Sequence, residues 1–116
     1  MKDYLGYKDK ICVVTGAASG MGKATCEILI DLGAKVYAMD LAQITLPVEK
    51  AIKLNLGDKA SIDEAFKEIP ENIDRFFGIA GVSGVTTDFA TTININFIGH
   101  RYALETFVIP RLAKDG

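Results

Sequence analysis

Apolar positions change their spacing several times along the chain, and each change marks an element. Ile11-Cys12-Val13-Val14 is a short run of β-formers, followed at once by a glycine-punctuated stretch, Thr15 to Gly22. Met21, Ala24, Thr25, Ile28, Leu29 and Leu32 then recur at helical spacing, with Gly33 as a stop. This pattern predicts one helix packed by that stripe on a sheet. Lys35 to Met39 is a second β-like run ending in Asp40, and Ala51 to Leu54 is a third. The stretch between them holds Thr45 and Pro47 with brief periodicity, which suits a loop or a single turn better than a crossover helix.

Ser61-Ile62-Asp63-Glu64 has the form of a capping box, and Ile62, Ala65, Phe66 and Ile69 form a stripe closed by Pro70. A short helix beginning at Ser61 is expected. Arg75 to Ala80 reads as a fourth strand buried on both faces, with a loop at Gly81-Val82-Ser83-Gly84. From about Thr91 a long helix carries Ile93, Phe97, Ile98, Tyr102, Leu104, Phe107, Val108 and Leu112, interrupted by Pro110. Apolar residues on more than one face suit a helix wedged between a sheet and a partner subunit. Short buried strands alternating with helices predict an α/β fold with parallel pairing, whose ligands bind at the carboxyl ends of the strands.

Composition narrows the reading in a few places. The 116 residues suffice for one domain, residues 1–116, and 49% of them are hydrophobic, which excludes a disordered chain. A formal net charge of −2 argues against a general nucleic-acid binder. Met1 to Lys10 lacks the apolar core of a signal peptide and no apolar run is long enough to span a bilayer, so a cytoplasmic protein without membrane contact is expected. Cys12 and Cys26 read as small buried hydrophobes, since no further ligand stands at metal-binding spacing; a disulfide, a metal pair or a catalytic thiol is the alternative.

The candidate chemistry lies in the glycine stretch. Three glycines, Gly16, Gly20 and Gly22, on a strand-to-helix turn permit a tight bend, close approach of the main chain to a pyrophosphate, and close packing of helix on strand. The N–H groups at the helix start can receive the phosphates. A bare glycine-rich turn is the alternative. Asp40 stands 20 positions beyond Gly20 at the end of the second strand. A carboxylate there can accept from the adenosine ribose hydroxyls and would repel a 2′-phosphate, and neither Ser19 nor Leu41 adds a positive charge. NAD is therefore favoured over NADP, although a strand-end Asp can also be a simple cap.

Thr15-Gly16-Ala17-Ala18-Ser19-Gly20-Met21-Gly22 resembles the Thr-Gly-x-x-x-Gly-x-Gly cofactor motif of the short-chain dehydrogenase/reductase family, and Ile95-Asn96-Phe97-Ile98-Gly99 resembles its helix motif. The resemblance covers nearly the whole chain. It implies a Rossmann-like α/β/α fold with strand order 3-2-1-4, and a secondary alcohol or carbonyl substrate exchanging hydride with NAD(H). Asn96 is then the catalytic Asn that holds the water of a proton relay, and Gly16, Ser19, Gly20, Met21, Gly22, Asp40, Leu41, Asn55, Leu56, Ala80 and Gly81 hold the cofactor.

Two positions depart from the family pattern. Asn55-Leu56 falls where the family has Asp followed by an aliphatic residue, and Gly78-Ile79-Ala80-Gly81 stands for Asn-Asn-Ala-Gly, which removes two side chains that brace this strand. Together with the shortened link after Asp40, these features are similar to the bacterial hydroxysteroid dehydrogenase/carbonyl reductase subgroup.

The family's catalytic Ser and Tyr-x-x-x-Lys lie beyond the Asn motif, whereas the twenty residues after Asn96 contain neither. Tyr4 to Lys8 has the spacing but precedes the first strand, and Ser83 lies on the wrong strand. His100, one turn after Asn96, has no partner visible in the sequence and reads as structural. The chain thus reads as the N-terminal part of such an enzyme, truncated after the long helix, inactive alone and oligomeric in its parent; a non-catalytic nucleotide-binding or regulatory module is the alternative. An open reading frame that continues into a Ser and a Tyr-x-x-x-Lys would decide for the enzyme.

Overall fold

The computed structural model describes residues 6–80, 90 and 98–113. Four strands, β1 (Ile11–Thr15), β2 (Lys35–Asp40), β3 (Lys50–Lys53) and β4 (Arg75–Gly78), form one sheet in the order β3-β2-β1-β4. Every pairing is parallel, with Val13 between Tyr37 and Phe76 and Thr15 between Met39 and Gly78. The expected α/β fold and strand order are therefore present.

Alternation along β1 and β2 supplies two cores. Cys12, Val14, Val36 and Ala38 face the helix α1 (Gly20–Asp31), where they pack with Cys26 and Leu29. Val13, Met39 and Ile52 face the other way and pack with Ile62, Ala65 and Phe66 of the helix α2 (Lys59–Phe66). Ala103, Val108 and Leu112 from the C-terminal helical segment complete that second face. A parallel sheet covered on both sides needs continuous apolar strands, and β1 provides them.

Four local expectations are corrected. The buried face of α1 consists of Gly22, Cys26 and Leu29, while Met21 and Ile28 of the expected stripe are 74% and 61% exposed. Apolar residues cover all of this helix except the face that carries Lys23, Glu27 and Asp31, and so wide a surface does not by spacing alone show which part of it is buried. Its end follows the pattern expected of Gly33: the N–H of Gly33 donates to Ile30 O and that of Ala34 to Leu29 O, the paired bonds of a Schellman motif.

The second helix starts earlier than expected. Asp58 caps it by accepting from the Ala60 N–H at 3.0 Å, whereas Ser61 Oγ accepts from the Asn55 N–H at 2.9 Å. The capping-box residues are simply inside the helix, and Glu64 pairs with Lys67 on its surface. β4 is half-buried rather than buried on both faces, and it ends at Gly78. The last segment is not a uniform α-helix: α3 (His100–Ala103) is followed by a π-helical turn at Leu104–Val108 and a 3-10 turn at Ile109–Arg111 that carries Pro110. The link between β2 and β3 holds no helix, as expected, and its Ile44, Leu46 and Val48 lean on the α1-side core.

Candidate functional site

The turn from β1 into α1 is drawn in tightly against its neighbours. The N–H groups of Gly16 and Ala17 both donate to Met39 O, at 2.8 and 3.2 Å, which ties the turn to the end of β2. Gly16 has φ +74, and a Cβ there would stand 2.7 Å from the Ala80 Cα and N. A Cβ on Gly22 would stand 1.9 Å from Gly16 O. Both glycines are therefore required by close backbone contacts, and Gly16 by its left-handed backbone angle as well. Ser19 precedes α1 without capping it through its side chain, and no acidic residue occupies the first turn. The first N–H groups of a helix have no intrahelical acceptor.

Above the carboxyl ends of the strands lies a cavity of about 410 Å³. It is lined by Gly16, Ser19, Met21 and Gly22 from the turn, Asp40 and Leu41 from β2, Asn55 and Leu56 after β3, and Ala80 after β4. Nine of the expected residues thus share one cavity. Gly20 lies outside the lining, and Gly81 and Asn96 lie outside the described residues.

Met39, Leu54 and Ile79 also line the cavity. Each is a direct sequence neighbour of an expected residue at a strand end, which was the available signal. A second, shallower cavity of about 420 Å³ shares Asp40 and Leu41 and extends past Gln43 to Lys53.

Asp40 is half-buried, and both carboxylate oxygens are engaged. Oδ2 accepts from the Ala18 N–H and Oδ1 from the Ala42 N–H, each at 2.9 Å. The residue therefore holds the glycine turn against β2, with lone pairs left over for a ligand hydroxyl. Among the described residues it is the one charged side chain lining the first cavity. Asn55 Oδ1 accepts from the Gly57 N–H at 2.9 Å, an Asx turn that fixes the loop beneath Leu56.

Ala80 is gripped at both ends of its residue. Its N–H donates to Thr15 Oγ1 at 3.3 Å, and its carbonyl oxygen lies 2.5 Å from His100 Nε2. The sequence offered no partner for His100 because that partner is a main-chain atom of another element.

The two cysteines are buried free thiols in the α1-side core. Burial pushes both up to about 11, an effect the Arg75 guanidinium partly offsets at Cys12. They are therefore neutral near pH 7 and poor nucleophiles. Among the described residues, no three metal-ligating side chains gather, and no helix is long and apolar enough to cross a membrane.

Residues 10–115 match the family model for short chain dehydrogenase. The chain belongs to this family of oxidoreductases, whose members bind nicotinamide cofactors on a Rossmann fold. It is 35% identical over 108 residues to a coniferyl-alcohol dehydrogenase of Pseudomonas sp., covering 93% of this chain and 42% of that protein. An acetoacetyl-CoA reductase of Synechocystis sp. is 30% identical over 115 residues, covering 90% of this chain and 48% of the relative. Among solved structures, the ligand-free aldohexose dehydrogenase of Thermoplasma acidophilum superposes with a TM-score of 0.72 at 29% identity, covering 91% of this chain and 45% of that one. The chain thus spans about half the length of the relatives it matches.

Proposed function

We propose that this chain forms the NAD(H)-binding part of a dehydrogenase that interconverts a secondary alcohol and a carbonyl. The observation that carries the reading is the cavity at the strand ends, where a glycine turn and a carboxylate meet with no lining cation among the described residues. Gly16 and Gly22 let the turn fold tightly against Ala80 and against the start of α1, where a Cβ would strike backbone atoms, and this brings main-chain N–H groups to the cavity, as close contact with a pyrophosphate requires. Phosphate oxygens placed at the start of α1 would gain roughly 0.3–1 kcal/mol from the helix dipole.

Asp40, already oriented by two backbone N–H groups, would accept from ribose hydroxyls, and a 2′-phosphate beside it would be repelled. Asn55, with its Oδ1 taken by Gly57, has an NH₂ group to offer an acceptor on the adenine ring. Leu41 and Leu56 would supply apolar contact, with Ser19, Gly20, Met21, Ala80 and Gly81 completing the cofactor set. Bound there, the nicotinamide supplies hydride exchange.

Asn96 is proposed as the catalytic residue of this segment. The Ser and the Tyr-x-x-x-Lys that the family motif calls for do not follow it within the 116 residues. Ile98 and Ile109, 54% and 61% exposed on the C-terminal helical segment, support a homo-oligomer in the whole enzyme.

Titration of the purified protein with NADH and NADPH, followed by cofactor fluorescence, tests the reading. NADH is expected to bind tighter, and the reverse preference overturns the role given to Asp40. Steady turnover of secondary alcohols by the 116-residue chain alone would overturn the proposal that the proton-transfer groups lie elsewhere.

A further inference from the structure

Ala80 lies where the cavity floor meets the glycine turn, and its position is set from two sides. Thr15 Oγ1 receives its N–H, and His100 approaches its carbonyl oxygen from α3. A carbonyl oxygen only accepts, so Nε2 carries the proton and the ring is held as the Nε2–H tautomer. The His100 ring lies over Gly78 at van der Waals distance. A Cβ on Gly78 would stand 3.5 Å from His100 Nδ1, 3.7 Å from its Cε1 and 3.0 Å from Phe76 Cε2. On the opposite side, Ala80 presses against Gly16 closely enough that a Cβ there would overlap its Cα and N. The imidazole, the Ala80 main chain and the glycine turn are thus stacked in consecutive contact.

We propose that His100 is a positioning residue of the dinucleotide site, pinning the Ala80 carbonyl through Nε2–H and so setting the separation between the cavity floor and the Gly16 turn. This rests on the reading of the cavity as the NAD site. The contact spans 20 residues and crosses from helix to strand end, so it closes the β4 side of a cavity whose β2 side is closed by Asp40. The bond also commits the Nε2 proton to a main-chain oxygen, which separates His100 from any proton exchange with substrate at that atom.

His100 is the chain's one histidine, so its ring signals are unambiguous. Nitrogen-15 NMR of the protein without cofactor should show the Nε2–H tautomer with a slowly exchanging proton. An Nδ1–H tautomer overturns the proposal without need of any variant.

NADH titrations of the variants form the second arm. His100→Phe keeps a flat ring without the donor and His100→Ala removes both, and each should weaken NADH about tenfold, as expected for one lost hydrogen bond. His100→Gln, whose amide NH₂ can reach the same oxygen, should stay within about threefold of wild type. Hydrogen exchange at the Ala80 amide should quicken in the Phe and Ala variants and not in Gln. Wild-type protein that binds no NADH overturns the reading of the cavity itself. Wild-type binding that persists unchanged in His100→Phe and His100→Ala overturns the role of His100 alone.

Discussion

Gly22 and Asp40 show how little of the site depends on long side chains. The carbonyl oxygen of Gly16 occupies the place where a Cβ on Gly22 would go, at 1.9 Å, and a backbone atom cannot step aside as the tip of a flexible side chain can. Gly22→Ala should therefore destabilise the fold by about 1–3 kcal/mol, the usual range for forced overpacking, as read by urea unfolding. Asp40→Asn preserves shape but turns an NH₂ group toward one of the two backbone N–H donors now received by the carboxylate. A loss of about 1 kcal/mol is expected, together with weaker NADH binding; unchanged stability would mean that the two bonds contribute nothing net.

The buried thiols give a pH prediction at the same scale. Burial raises Cys12 and Cys26 from 9.0 to about 11, so the folded state favours the neutral thiol. Their contribution to stability is complete below pH 9 and is lost as the pH rises toward 11, because the unfolded chain ionises first. The alkaline fall in unfolding free energy should be smaller in a variant carrying Cys12→Ala and Cys26→Ala than in wild type.

At the scale of elements, α2 separates a motif from its geometry. Ser61 and Glu64 have capping-box spacing, yet the chain is already helical at Lys59 because Asp58 reaches the Ala60 N–H first. Asp58→Ala should cost about 1 kcal/mol in thermal or urea unfolding. Glu64→Ala, which removes only an exposed pair with Lys67, should change stability by less than about 0.5 kcal/mol. The reverse order would restore Ser61 as the helix start. Ser61 meanwhile receives the Asn55 N–H, so a residue expected to start a helix instead supports the loop that lines the cavity.

For the whole molecule, the sheet depends on ties made far along the chain. Asp74 Oδ2 accepts from the Ile11 N–H, which anchors the start of β1 beside β4. Ile73 donates to Arg111 O at 2.7 Å and receives the Ala113 N–H at 2.8 Å, so the chain after the 3-10 turn begins to pair beyond β4. Ala113→Pro removes that last donor while Leu112, at φ −64 and ψ 133, already has the extended conformation required before proline. The expected loss is roughly 1 kcal/mol, with faster hydrogen exchange around Ile73, and an unaltered exchange pattern would show the tie to be idle.

The sequence by itself determined the order of elements and most of the candidate site. Gly16, Gly22, Asp40 and Asn55 stand at positions where local spacing and strand ends already limit what a residue can do, and the structure gathers them at one cavity. Tertiary structure decided which side of α1 is buried, since Met21 and Ile28 are as apolar as Leu29 and only packing against β1 and β2 distinguishes them. It also decided the half-buried state of β4 and the partners of Thr15 and His100. Those bonds join groups 65 and 20 residues from Ala80, and spacing along a chain carries no record of which distant main-chain atoms will meet a side chain.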